Sequence, residues 1–286
     1  MATETMSQPE MIRKLREKTG AGMMDCKKAI VETAGDFEKA IAFLRKKGLA
    51  AAAKKAARTT KEGLIAACIA PDGKSGGIIE LNCETDFVAK TDEFPALAND
   101  LAKRTADGSI TEPAQAESLV KGLIAKLGEN MALARIARFT LAGPGLIASY
   151  VHTAGSKKGA LIELACDQEE TARHAAVAEL AKEIGMQIVA MSPRWLRRED
   201  VPEAEIAKER DIFETQVRKE GKPEAAVAKI VEGKINKLFF QAFCLLEQVS
   251  MRDNKTKITQ LVADAAKAAG GKVEVKRFVR YQLGGE

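Results

Sequence analysis

Histidine is nearly absent from this 286-residue sequence, which has only His152 and His174. That removes most zinc sites and argues against a catalytic triad built on imidazole. Aromatic residues make up only 5% of the chain, so base-stacking platforms of the single-strand-binding kind are not expected. Five cysteines, Cys26, Cys68, Cys83, Cys166 and Cys244, lie far apart, and no C-x-x-C pair occurs. An odd, scattered set of thiols fits a reducing, cytoplasmic compartment, each sulfur serving as a small apolar core group. No apolar run approaches the roughly 20 residues needed to span a bilayer, so no membrane partner is expected. The opening MATETMSQPE has neither a basic n-region nor an apolar h-region, and no secretory signal is read there.

Catalytic signatures are missing too. There is no H-E-x-x-H and no Cys/His pairing. Gly73-Lys74-Ser75 looks like the end of a phosphate loop, but Cys68 stands where the pattern needs its first glycine. The stretch also joins two strands instead of opening a helix. Asn254-Lys255-Thr256 matches a glycosylation acceptor, which has no meaning without secretion. The sequence therefore predicts no enzyme, no catalytic residues, no metal and no cofactor.

What is present describes a folded protein of two or three domains, 46% hydrophobic and 30% charged. Residues 1–62 hold 14 Lys and Arg against 8 Asp and Glu, while the remainder is close to neutral. Such a basic segment suits an acidic protein partner, RNA or a ribosomal surface, or is simply a solvated helical face. Within it, residues 10–47 read as three short helices. Met11, Ile12 and Leu15 mark the first face, and Met23, Cys26, Ala29 and Ile30 the second. Phe37, Ile41 and Leu44 mark the third, with Asp36 as its N-cap and Gly48 as its end. Residues 49–62 are expected to form a helical linker.

An internal duplication sets the rest. GLIAACIAPDGKSGGIIELNC, Gly63–Cys83, matches GLIASYVHTAGSKKGALIELAC, Gly145–Cys166, with one extra residue in the second turn. Each copy reads as a β-hairpin followed by a helical stretch, near Asp92–Ala106 and Glu169–Val189. Two related α+β subdomains are predicted, at 63–143 and at 144–202 with 244–286. Between the two parts of the second lies a charged helical hairpin, 203–243, broken at Gly221-Lys222-Pro223 and expected to be a coiled-coil arm. A helix near Thr256–Ala268 precedes a final strand. There Val273, Val275, Arg277, Val279 and Tyr281 alternate with other residues.

NCETDFVAK, Asn82–Lys90, is the most informative segment. It sets Asp86 and Phe87 directly after the apolar run Ile78–Leu81. Phe87 is either a core residue under its hairpin or a probe offered to something else. Asp86 either caps its own turn or pairs with a cation. Met23 and Met24, being adjacent, cannot both face one helix's core, so at least one is expected outside unless both serve a turn. His152, at the end of a strand, reads as a structural residue or as a contact. His174 is expected on a solvated helical face with no role.

Taken in order, REKTGAGMMDCKKA (Arg16–Ala29), TDFVAKTDEF (Thr85–Phe94), KLGEN (Lys126–Asn130), SYVH (Ser149–His152), the GKP of the arm and the terminal KRFVRYQLG span nearly the whole chain. In these blocks the sequence resembles the bacterial translation elongation factor Ts family. The resemblance implies an α+β protein: an N-terminal ubiquitin-associated-like (UBA-like) three-helix domain, residues 1–48, then the duplicated core with its inserted arm. It implies a guanine-nucleotide exchange factor whose partner is elongation factor Tu, GDP-bound and then nucleotide-free, until GTP displaces it. It further implies that Thr85, Asp86, Phe87 and Val88 disturb the partner's magnesium and phosphate site, with the Phe87 ring as the wedge. Arg16, Met23, Met24, Leu127, Gly128 and His152 are implied as further contacts. No direct nucleic acid is required, and in some members the arm serves self-association, as in a homodimer, or further contacts. Longer members carry a helical module beyond the last strand, and its contacts are not expected here. The competing functions are a UBA-type peptide-binding adaptor and a ribosome- or RNA-binding protein.

Overall fold

The computed structural model describes residues 6–285, with the side chains at 49 and 51–54 outside that description. Three helices come first. Glu10 reaches back to accept from the Ser7 amide and hydroxyl, at 3.1 and 2.9 Å, and so opens α1 (Gln8–Thr19). After the Gly20–Gly22 break comes α2 (Met23–Glu32). Asp36 then caps α3 (Phe37–Lys55), accepting from the Lys39 amide at 3.0 Å. Leu15, Cys26, Ala29, Ile30, Ala40 and Leu44 close a small core between the helices. Met23 shares that face by spacing, but as the first residue of α2 it stands at the helix end, outside the core, and is exposed.

Gly48 does not end the third helix, contrary to the sequence expectation; α3 runs through it to Lys55. A β-carbon at position 48 would stand 2.4 Å from that of Ala125. The glycine lets two helices touch, and its helix penalty of roughly 1 kcal/mol is offset by that close approach.

The first copy contains β1 (Glu62–Ile69), β2 (Ser75–Cys83), α4 (Asp86–Ala89), α5 (Glu93–Asp107), α6 (Glu117–Leu127) and β3 (Met131–Thr140). Its antiparallel sheet has the order β1-β2-β3. The second copy begins with β4 (Gly145–Val151), β5 (Lys158–Cys166), α7 (Glu169–Arg173) and α8 (Ala175–Met191). Where one helix was expected there are two. His174 is extended between them, and its Nδ1 accepts from the Ala176 amide at 3.2 Å. This residue is therefore a cap, not part of a helical face. The arm follows as α9 (Glu203–Lys219) and α10 (Glu224–Lys234), which continues through a π-helical stretch, Ile235–Phe240, into the single turn α11 (Gln241–Phe243). Val217, Val227, Val231, Ile235 and Phe239 form the arm's own core. Finally α12 (Ile258–Ala269) leads to β6 (Val273–Gln282), which completes the second sheet as β4-β5-β6.

The copies correspond beyond the hairpins. Cys83 falls on Cys166, Gly128 on Gly270, Arg135 on Arg277 and Phe139 on Tyr281. α5 and α6 cover one face of the first sheet, α8 and α12 one face of the second, and the two free faces pack together through Ile65, Ile78, Ile147 and Leu161. Each sheet has a bulge at the same place, after Glu80 and after Glu163, leaving Ala134 and Lys276 without a ladder partner. The bulge corrects the simple alternation expected of β6. Val273 and Val275 face the helices, whereas Val279 and Tyr281 face the other sheet.

Beside each bulge is a buried carboxylate. Arg135 Nε donates to Glu80 at 2.8 Å, and Arg277 Nε to Glu163 at 2.6 Å. Each guanidinium also stacks on the opposite sheet, Arg135 over Tyr281 at 4.3 Å and Arg277 over Phe139 at 4.2 Å. Removing one partner of such a pair strands the other charge. Glu80→Ala is expected to cost roughly 3–5 kcal/mol in urea unfolding. Glu163→Ala should cost less, because the Arg277 side chain is 49% exposed against 26% for Arg135. Equal losses would contradict this ranking.

Candidate partner-binding site

β2 delivers Cys83 into the core, and the chain bends at Glu84 and is extended at Thr85 before α4 begins. Thr85 is the N-cap, its Oγ1 accepting from the Val88 amide at 3.4 Å. Successive helical side chains point about 100° apart, so a helix of four residues can bury only one side. Val88 goes inward, into the core of the first sheet. Asp86 and Phe87 therefore point out. The Phe87 side chain is 80% exposed, and no large apolar residue among those described is more so. It is not the core residue that one sequence alternative allowed. Asp86 pairs with Lys90, whose Nζ lies 2.5 Å from Oδ2. The hydrogen bond from Lys90 holds the Asp86 carboxyl below its ordinary value, so this charge pair persists in mildly acid solution.

The base of this tip is held from two sides. Below it, the Cys83 thiol donates to the Thr85 carbonyl at 3.1 Å. Burial, with Glu129 and Glu62 nearby, pushes the thiol up to about 12, so it remains a protonated donor at neutral pH. From the side comes the turn after α6. Glu129 accepts from the Thr85 amide at 3.0 Å and from its hydroxyl at 2.7 Å. Glu84 accepts from the Asn130 amide at 2.6 Å, and Asn130 Nδ2 donates to the Arg58 carbonyl at 2.8 Å. Gly128 makes the turn possible with φ at +82°.

The predicted contacts are thus distributed. Gly128 is exposed beside the tip's brace, and Leu127 is half-buried against the first core. His152 is exposed just past β4, its Nδ1 accepting from the Ala154 amide at 3.3 Å. Its turn lies at the same end as α4: Ser156 accepts from the Ile65 amide at 2.7 Å, and Lys157 pairs with Glu62 at 2.8 Å. Arg16, Met23 and Met24 sit apart, on the three-helix unit. Both methionines point outward, at 49% and 72% exposure. The bracing residues Glu84, Glu129 and Asn130 were not singled out from sequence. KLGEN stood out as a block, but its partner, Thr85, lies 44 positions away from Glu129.

A family model described as Elongation factor TS matches residues 84–285. The chain belongs to the elongation factor Ts family. An Elongation factor Ts from Nitratidesulfovibrio vulgaris (strain DP4) is 46% identical over 275 residues, covering 96% of this chain and 94% of that protein. One from Clostridium botulinum (strain Alaska E43 / Type E3) is 46% identical over 290 residues, covering 98% and 93%. Family membership places the chain among the translation elongation factors of protein biosynthesis. No helix among the described residues is long and apolar enough to cross a membrane. Nor does any group of three or more His, Cys, Asp or Glu among them stand where it could hold a metal ion.

The exposure of Phe87 has a direct energetic consequence. Phe87→Ala should leave unfolding stability within about 0.5 kcal/mol of the parent. A core phenylalanine would cost roughly 3–5 kcal/mol, and a loss of that size in urea titration would contradict the outward placement.

Proposed function

We propose that the chain is a guanine-nucleotide exchange factor for elongation factor Tu. It binds the GDP-bound partner, inserts the Phe87 ring beside the magnesium and phosphate site, and remains on the nucleotide-free partner until GTP enters. The observation that carries this reading is the ring itself, outermost on a short helix whose base is fixed. Thr85 and Val88 hold the tip from behind, and Asp86 with Lys90 gives it a charged flank. The work involves no bond chemistry. GDP and the factor each weaken the other's binding by the same factor, which linkage requires. A thousandfold acceleration requires about 4 kcal/mol of differential stabilisation, and burying one Phe gives only about 1.5–3 kcal/mol. The remainder falls to the wider grip through Arg16, Met23, Met24, Leu127, Gly128 and His152.

The adaptor reading uses only the three-helix unit and gives Phe87 no task. Self-association through the arm would rely on Ile212 and Leu238, the large apolar side chains that the arm leaves outward among the described residues.

Release of fluorescent GDP from elongation factor Tu tests the proposal. The intact chain should stimulate release. Phe87→Ala should reduce that stimulation roughly tenfold or more, the equivalent of one buried ring. Full activity of the variant would refute the wedge. Met24→Ala should raise the dissociation rate of the nucleotide-free complex by a few-fold; an unchanged rate would remove Met24 from the interface.

A further inference from the structure

We propose that Glu129 is a positioning residue for the Phe87 tip: its carboxylate sets the direction of the helix that carries the ring, a task the fold itself does not impose. The inference rests on the exchange reading above.

Both carboxylate oxygens are committed to one residue. Oε2 takes the Thr85 amide and Oε1 takes the Thr85 hydroxyl proton. With its hydrogen directed at Glu129, the hydroxyl presents a lone pair to the Val88 amide. The clamp therefore orients the cap, and the cap orients the helix. Four residues have no helical stability of their own, so the ring stands wherever its anchors place it.

The duplication provides an internal control. Thr85 corresponds to Gln168, Phe87 to Glu170 and Val88 to Thr171. The backbone before the short helix is the same in both copies, with φ and ψ of −127° and 155° at Thr85 and −141° and 155° at Gln168. One brace is shared: Glu84 accepts from the Asn130 amide at 2.6 Å, and Asp167 accepts from the Lys272 amide at 2.9 Å. That brace belongs to the scaffold. The clamp is different, because Gly271 stands where the first copy has Glu129. A β-carbon there would come within 2.1 Å of Thr171 Oγ1 and 2.6 Å of Asp167 Oδ1. Gln168 makes no side-chain cap bond, yet α7 forms. The turn and its helix thus do not need the clamp. It occurs in the copy whose helix presents an apolar ring and not in the copy that presents Glu170.

Two measurements test this. In the free chain, amide hydrogen exchange at Val88 and Ala89 should rise in Glu129→Ala, while Thr171 and Ala172 stay unchanged. In GDP release from elongation factor Tu, Glu129→Ala should lower the saturating rate roughly tenfold, the loss expected for hydrogen bonds to a charged group. The half-saturating concentration should move less than about twofold. Glu129→Gln, which keeps one acceptor oxygen for Thr85, should recover most of the rate. In a Phe87→Ala background, Glu129→Ala should add less than about a twofold loss, since both changes act through one ring. Unchanged exchange at Val88 and Ala89, or losses that multiply, would overturn the proposal. If Glu129→Ala fails to fold, Thr85→Val carries the same readouts. If Phe87→Ala alone proves fully active, the wedge reading fails while the amide exchange still decides the clamp.

Discussion

Two buried carboxylates hold the halves of this molecule in register. Glu80 and Glu163 each fix an arginine beside a bulge, and each arginine reaches across to lie on an aromatic ring of the opposite sheet. The arrangement is reciprocal, so neither sheet can slide without breaking both stacks. Glu80 also accepts from the Gly284 amide, and Arg135 donates to the Gln282 carbonyl, both at 2.9 Å, tying the end of β6 to the first copy. Everything presented outward depends on that lock. It keeps the Lys157 turn of the second copy beside β1 of the first, at the end where α4 emerges.

Much of this architecture was legible in the residues. The repeated hairpins announce themselves because glycine-containing turns separate apolar runs of matched length. The arm shows as charged helical sequence around Gly221-Lys222-Pro223. The third strand of the first sheet was harder. MALARIARFT intersperses arginines with apolar residues and contains a bulge, so Met131 and Leu133 face the helices whereas Ala137 and Phe139 face the other sheet. In Gly48 the sequence shows a residue that could stop a helix, but not that Ala125 lies against it. A glycine's meaning depends on what approaches it, and local pattern does not contain that information.

The candidate site divides in the same way. An aromatic ring placed after a buried strand is visible in nine consecutive residues, and the open question about Phe87 was only its direction. Val88 answers it, because a four-residue helix that buries that side chain must turn its neighbour outward. The clamp stayed hidden because a hydrogen bond between positions 85 and 129 leaves no periodicity. Extending the comparison of the two copies past their hairpins, to Glu129 against Gly271, would have exposed the asymmetry.

That asymmetry extends to chain length. In the first half, residues 108–116 suffice to join its two long helices, whereas the second uses 192–257 for the same connection and accommodates an entire arm there. The half with the exposed ring has the short connection, and the half with Glu170 carries the arm. Doubling the scaffold thus gives two tasks separate seats: one half holds the ring on a tightly connected body, and its twin has room for a long excursion of the chain.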